Sequence, residues 1–303
     1  MEKIQRAHLA LEGLSIGDAF GQQFFGQQNA MIEKIEQRIL PEEPWHLTDD
    51  SIMALGIFET LEKLGGIDQD YLAKCFAQNY KKNVYRGYGG TAHSILRAIY
   101  LGGDWREIAP AVFSGSGSYG NGAAMRIAPL GAYFAEDIDT LKKEAQLSCE
   151  VTHSHIEGQA GGLAIALACG WVFSRAESCE DSKDMLRFVL DNLSDSETRN
   201  GIQKACELPF SYSVATAVSA LGNGTMISAQ DTVPFSLWCA ARHLNNFEEA
   251  MWTTVSGLGD RDTTCAIVGG IVALSVGEKG IPKHWQQARE SLVKWQECES
   301  EWF

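Results

Sequence analysis

Two short runs of this chain pair carboxylates with hydroxyls at the start of an apolar stretch. Thr48-Asp49-Asp50 opens residues 48–61, and Asp260-Arg261-Asp262-Thr263 opens a second such stretch after a glycine-rich turn. Hard divalent cations take several oxygen ligands. Thr48, Asp49, Asp50, Asp260, Asp262 and Thr263 together offer enough carboxylate and hydroxyl oxygen for two ions sharing a bridging carboxylate. Neither run contains His or Cys, so the donor set favours two Mg²⁺ or Mn²⁺ ions over zinc. Two neighbouring ions of this kind activate water and polarise a substrate oxygen, which is hydrolase chemistry. Taken singly, each run also reads as ordinary first-turn acids complementing a helix dipole; it is the repetition, with hydroxyl partners, that points to metal. The second run is not an EF-hand, because Cys265 and Ile271 occupy its sixth and twelfth positions.

Between the two runs lies SGSGSYGNGAAMRIAPLG (114–131), in which Gly115-Ser116-Gly117-Ser118-Tyr119-Gly120 matches GxGxxG. A dinucleotide fingerprint requires a βαβ unit. Here the following helix can run only from about Ala123 to the residue before Pro129, and helices follow where strands are needed. The loop keeps a more modest capacity: successive backbone amides at a helix start can cradle a phosphate or diphosphate. Tyr119 adds an aromatic face and a hydroxyl, and Asn121 an amide. His153 and His155 stand two apart, a spacing that on a helix points them away from each other and argues against a shared metal.

These groups are positioned by a helical chain. Ile52, Leu55, Phe58 and Leu61 recur at helical steps, whereas alternating strand-like runs are scarce. GGLAIALACGWVF (161–173) and TTCAIVGGIVAL (263–274) are apolar nearly all round, as expected of helices in the middle of a bundle. Glycines at Leu64-Gly65-Gly66, Leu101-Gly102-Gly103, Leu221-Gly222 and Glu278-Lys279-Gly280 mark helix ends. The expected fold is one compact all-α domain over residues 1–303, an orthogonal bundle of about a dozen helices around a central dinuclear metal site. No Pro/Ser-rich linker or solenoid repeat divides the chain.

The composition is that of a globular protein, with 45% hydrophobic and 21% charged residues. A formal charge of −14 argues against sequence-independent nucleic-acid or anionic-membrane binding. The longest strongly apolar stretch, Leu163–Phe173, falls short of the roughly 20 residues of a spanning helix. The first residues lack a signal peptide's long apolar core. The expectation is a cytoplasmic monomer. Its eight cysteines, at 75, 149, 169, 179, 206, 239, 265 and 298, form no CxxC pair and read as buried, reduced thiols.

Seven segments in order, GDAFGQQFF (17–25), TDDSIMA (48–54), GYGGTAHSI (87–95), GSYGNGAAMRIAPLG (117–131), THSHIEGQAG (152–161), DTVPFSLWCA (231–240) and GDRDTTCAIVGGI (259–271), resemble the ADP-ribosylglycohydrolase family. The resemblance spans nearly the whole chain. It implies an all-α fold with a dinuclear Mg²⁺ or Mn²⁺ centre whose ligands fall on the six residues named above. It further implies that Gly117, Ser118, Tyr119, Gly120 and Asn121 hold the diphosphate and adjacent ribose of ADP-ribose. His153 would line the nucleotide pocket, and Tyr88 and Gly89 would lie near the distal ribose. The implied reaction hydrolyses an N- or O-glycosidic bond of ADP-ribose on a protein side chain or small acceptor such as O-acetyl-ADP-ribose, with Asp49 or Asp262 orienting or deprotonating the water.

One position departs from the family pattern. Members often carry a glutamate eight residues after the glycine of the GDA motif, on a flap over the metals; here that residue is Phe25, with Gln22 and Gln23 nearby. An aspartate of the centre or another acid such as Glu33 would then take the base's work. The alternative is an ADP-ribose-binding or crystallin-like structural protein of the same fold, without catalysis.

Overall fold

The computed structural model describes residues 1–175 and 181–292. The first third is α1 (Lys3–Gln22), α2 (Gln28–Glu36), α3 (Asp49–Leu64), α4 (Gln69–Lys82), α5 (Gly90–Tyr100) and α6 (Trp105–Gly115). There follow α7 (Gly122–Arg126), α8 (Ala128–Tyr133), α9 (Ile138–Glu150), α10 (Ile156–Arg175), α11 (Lys183–Asp191) and α12 (Glu197–Glu207). The last are α13 (Val214–Leu221), α14 (Ala229–Arg242), α15 (Phe247–Val255), α16 (Arg261–Val276) and α17 (Lys283–Ala288). Among the described residues there is no strand, only isolated bridges at Trp45–Arg289 and Gly120–Ser228, so the all-α expectation holds. Among the described residues the α-helices number seventeen rather than about a dozen, because short pieces such as α7, α8 and α17 count separately.

The core is organised by α1 against α16, the most extensive helix pair. Gly13, Gly17 and Gly21 recur every helical turn, and a Cβ at any of them would collide with the backbone oxygens of Gly269, Cys265 and Arg261 respectively. The missing side chains let the two backbones touch, which sets Asp18 of α1 beside the first turn of α16. α10 is long and apolar enough to cross a membrane by composition, yet most of it is buried among α7, α8, α9, α11, α14 and α16. Its glycines and alanines serve close packing there.

Helix ends follow turn chemistry. Gly65, at φ 74°, closes α3 in the left-handed conformation that glycine adopts without strain. Gly102 and Gly222 follow α5 and α13 with φ 93° and 84°. The expected boundary at Glu278-Lys279-Gly280 is instead a 3₁₀ turn, and the residue that ends α16 is Gly277, at φ 67°. Of the cysteines, 75, 149, 169, 239 and 265 are buried and 206 is half-buried, all as free thiols. Cys179 and Cys298 lie outside the described residues.

Candidate functional site

Thr48 caps α3: its side-chain oxygen accepts from the Asp50 amide at 3.3 Å. What holds this cap is Asp18, a fully buried aspartate near the C-terminal end of α1. Its Oδ1 accepts from Thr48 Oγ1 at 2.6 Å, and its Oδ2 accepts from the amides of Thr48 (2.9 Å) and Ser51 (3.2 Å) and from the Ser51 hydroxyl. Asp18, Asp50 and Asp262 each bring one oxygen to within 4.8 Å of the others, so α1, α3 and α16 converge on one point. Asp50 Oδ1 is buried with no hydrogen-bond partner, an arrangement that buried polar atoms avoid unless something else satisfies them.

Burial dominates the electrostatics here. It raises Asp18 despite the bonds from Ser51 and Thr48 that oppose it. It raises Asp50 well above the usual carboxylate range, with Asp262 and Asp18 adding repulsion. Desolvation by the surrounding protein does the same to Asp262, which keeps part of its surface at the cavity and sits beside Asp260. Asp49 is pushed up to about 8 by burial and then by the Asp18 charge. Without a cation, the cluster therefore holds protons. Thr48 Oγ1 requires as much: it has one hydrogen yet lies 2.6 Å from Asp18 Oδ1 and 2.9 Å from Asp50 Oδ2, so one of those carboxyls must donate. The orphaned Oδ1, the all-oxygen donor set and the crowding of like charges fit a hard divalent cation.

A cavity of about 420 Å³ opens onto this cluster. Asp49, Asp50, Asp260, Asp262 and Thr263 line it, as do Gly89, Ser118, Tyr119, Gly120, Asn121 and His153. Three predicted residues do not. Thr48 lies behind, bound to Asp18. Tyr88 is buried edge-on against Tyr80 at 5.1 Å, with its hydroxyl unpartnered and pushed up in pKa by burial and by Asp49. Gly117 packs on the Ser154–His155 backbone at φ 75°, so it shapes the loop from outside. Asn121 joins the two parts of the site, donating from Nδ2 to Asp260 Oδ2 at 2.7 Å and to Thr232 Oγ1 at 3.1 Å.

His153 and His155 are not on a helix; they lie in the turn between α9 and α10, so the helical-spacing argument does not apply to them. A Cβ at Gly122 would come 2.9 Å from His153 Cε1 and 3.2 Å from Nε2, which is why the ring fits against the loop. Buried Arg126 donates to Thr152 Oγ1 at 2.8 Å, and Thr152 Oγ1 lies 2.8 Å from His153 Nδ1. With the arginine donating to it, the hydroxyl keeps its own proton to give, and when it gives it to Nδ1 the hydrogen of the ring sits on Nε2. Burial, then Arg126, push His153 down to about 3, leaving a neutral imidazole at the cavity wall.

Sequence reasoning missed Asp18, Arg126 and Thr152. Asp18 had a signal, a carboxylate set between Gly17 and Ala19 in the apolar run of α1. Phe25, Gln22, Gln23 and Glu33 are not among the cavity-lining residues. The Phe25 ring lies against the Arg261 guanidinium at 5.0 Å, and Glu33 is exposed on α2, accepting from Gln37 at 3.1 Å.

The sequence profile of the ADP-ribosylglycohydrolase family matches residues 1–300. The chain is 28% identical to ADP-ribosylhydrolase ARH3 of Bos taurus, over 95% of this chain and 89% of that protein. It is 29% identical to an uncharacterized protein of Archaeoglobus fulgidus, over 90% and 88% of the two. A solved structure described as an ADP-ribosylglycohydrolase-related protein complex shares the fold, with a TM-score of 0.66 at 22% identity over 98% of this chain and 96% of that one.

Proposed function

The chain belongs to the ADP-ribosylglycohydrolase family, and from that premise we propose that it is a Mg²⁺- or Mn²⁺-dependent hydrolase. Its substrate would be the N- or O-glycosidic bond that joins ADP-ribose to a protein side chain or to a small acceptor, as in O-acetyl-ADP-ribose. The observation that carries the reading is the convergence of Asp18, Asp50 and Asp262, with an orphaned Asp50 oxygen, beside the same cavity that residues 118–121 wall. Thr48, Asp49, Asp50, Asp260, Asp262 and Thr263 would hold two cations, and Asp18 would fix Thr48 and Ser51 from behind. Cations bound there would supply Lewis acidity toward sugar oxygens and a water of lowered pKa.

The chain's own groups then do the rest. The Ser118 and Tyr119 amides would bind the diphosphate, those of Gly120 and Asn121 being given to Ser118 Oγ and the Ile227 carbonyl, and His153, whose ring is held neutral by burial, would hydrogen-bond a ligand oxygen through Nε2. Asn121 ties the loop to Asp260, so the position of the ligand and that of the carboxylates are set together. Asp49 or Asp262 orients the attacking water and takes its proton, the role left open by Phe25. The cytoplasmic monomer expected from the sequence is kept as part of this proposal, and the buried free thiols are consistent with a reducing compartment.

A thermal-shift matrix of Mg²⁺ or Mn²⁺ against ADP-ribose, with release of ADP-ribose from arginine-, serine- and ester-linked substrates, tests this. Cooperative stabilisation and metal-dependent release are expected. Inactivity on every linkage would sink the hydrolase reading. Cooperative stabilisation without release would establish instead the ADP-ribose-binding alternative, which the outward placement of Phe25 favours.

A further inference from the structure

A second cavity, of about 650 Å³, shares two walls with the site. In the 258–262 turn, Leu258, Gly259 and Arg261 face this cavity while Asp260 and Asp262 face the first; in the 223–227 loop, Asn223 and Thr225 face this one while Met226 and Ile227 face the other. In a chain with 39 acidic and 25 basic residues, Arg261 is the sole ionisable residue on its wall. One Nη donates to the Phe24 carbonyl at 2.7 Å, and the guanidinium rests 5.0 Å from the Phe25 ring centre. Nε is buried without a partner, and no carboxylate pairs with Arg261 among the described residues. A guanidinium held this way keeps its remaining Nη–H donors in a fixed direction for an oxyanion.

We infer that this cavity is the acceptor subsite, in which Arg261 takes the carboxylate of an Asp or Glu flanking the ADP-ribosylated residue of a protein substrate. This rests on the hydrolase reading above. The diphosphate of ADP-ribose has its own cradle in the 117–121 loop, so an anion at Arg261 belongs to what ADP-ribose is attached to. The volume falls in the range of roughly 300 to 1,000 Å³ that organic ligands occupy, enough for a peptide side chain and its neighbours. The stretch 258–262 places Arg261 one residue from each of Asp260 and Asp262, so the acceptor's carboxylate and the bond to be cut are read by adjacent residues of one turn.

Two peptides ADP-ribosylated at the same residue, one flanked by Asp and the other by Asn, are compared with the wild type, Arg261→Gln and Ala215→Glu. Ala215→Glu leaves Arg261 and the carboxylate cluster in place and adds a competing carboxylate to the cavity wall. The wild type should show a KM roughly tenfold lower for the Asp peptide at equal kcat, and both variants should erase the difference by raising that KM alone. The arginine Nε–Hε resonances, titrated with the unmodified Asp peptide and separately with inorganic phosphate, read the subsite without turnover. The resonance lost in Arg261→Gln should move with the peptide. If it moves with the peptide while neither substrate is cleaved, the subsite stands and the hydrolase reading falls. Equal KM values with a stationary resonance overturn the inference, as does a resonance that answers to phosphate alone.

Discussion

The starts of α3 and α16 read alike in sequence, two aspartates with a threonine, yet different physics holds them in place. At α3 the carboxylates are buried and the anchor is another acidic side chain: Asp18 gathers two amides and two hydroxyls from Thr48 and Ser51. At α16 the aspartates are half-buried and Asp260 provides no side-chain cap. Its amide donates to the Asn223 carbonyl at 3.1 Å, its carboxylate accepts from Asn121, and Leu258 before it is held at φ 58°. One half is fixed by a network inside the core, the other by loops that also wall the two cavities. The α3 half should therefore govern stability, and the α16 half should couple to ligand.

Removing the core anchor should have the largest effect. Asp18→Ala strips the acceptor from four buried donors, and each buried donor left unsatisfied costs about 1–3 kcal/mol. Thermal unfolding of the metal-free protein should show a fall of many degrees, together with loss of any response to Mg²⁺ or Mn²⁺. A variant as stable as the wild type would mean that Thr48 and Ser51 find other partners and that α3 is not held by α1.

pH should produce a change of comparable order, spread over several units. Asp49 has an ordinary value of 3.8 and is raised to about 8 in the fold, so between these values the folded chain binds a proton that the unfolded chain does not. The corresponding stability is complete below about pH 3.8 and is lost as pH rises through about 8. Asp18, Asp50 and Asp262 shift in the same direction. In this respect the metal-free protein should lose stability from about pH 4 to 8, while Mg²⁺ or Mn²⁺, which displaces those protons, should stabilise more as pH rises. Unfolding curves with and without metal across that range measure it, and parallel curves would show that the clusters do not exchange protons for cation.

Asp50→Asn and Asp262→Asn come next. Each removes a desolvated, mutually repelling acid while keeping its shape, so the metal-free protein should be as stable as the wild type or more so. The metal-dependent stabilisation, about 2.7 kcal/mol at a hundredfold excess over Kd, should disappear in both. Calorimetric titration with Mn²⁺ checks this. Retention of full affinity by either variant would remove that residue from the ligand set.

This contrast also separates what the sequence made legible from what it did not. The Thr48 cap, the glycine-closed ends of α3, α5 and α13, and the two acidic starts follow from rules acting within a few residues. Asp18 did not: its partners are 30 and 33 residues away in sequence, and only the glycine contact between α1 and α16 brings it to Asp262. The helical spacing applied to the histidines failed for a related reason, although their separation from the carboxylate group stands. A spacing of two implies divergence only on a helix, and here the backbone leaves the helix before His153. Gly117 and Tyr88 were placed at the ligand through the resemblance, whereas the structure uses them in packing behind the wall. That Arg261 faces a different cavity from its two neighbours is a matter of loop geometry, which residue types alone do not specify.

The smallest effect expected on stability is also the one that most sharply tests the coupling assigned to the α16 half. Asn121→Ala removes the hydrogen bonds to Asp260 Oδ2 and Thr232 Oγ1. Asp260 keeps access to water at the cavity, so the cost to folding should be about 1 kcal/mol. The loop that would cradle the diphosphate is then no longer registered on the carboxylates. Affinity for Mn²⁺ measured alone should change little. Affinity for ADP-ribose in the presence of Mn²⁺ should fall roughly tenfold, and the mutual enhancement between metal and ADP-ribose should fall by the same factor, because linkage is reciprocal. The four titrations, each ligand with and without the other, form a closed cycle that yields the coupling directly. If Asn121→Ala weakens both ligands equally and leaves the enhancement intact, the amide serves the fold of the loop alone, and the two halves of the site communicate by another route.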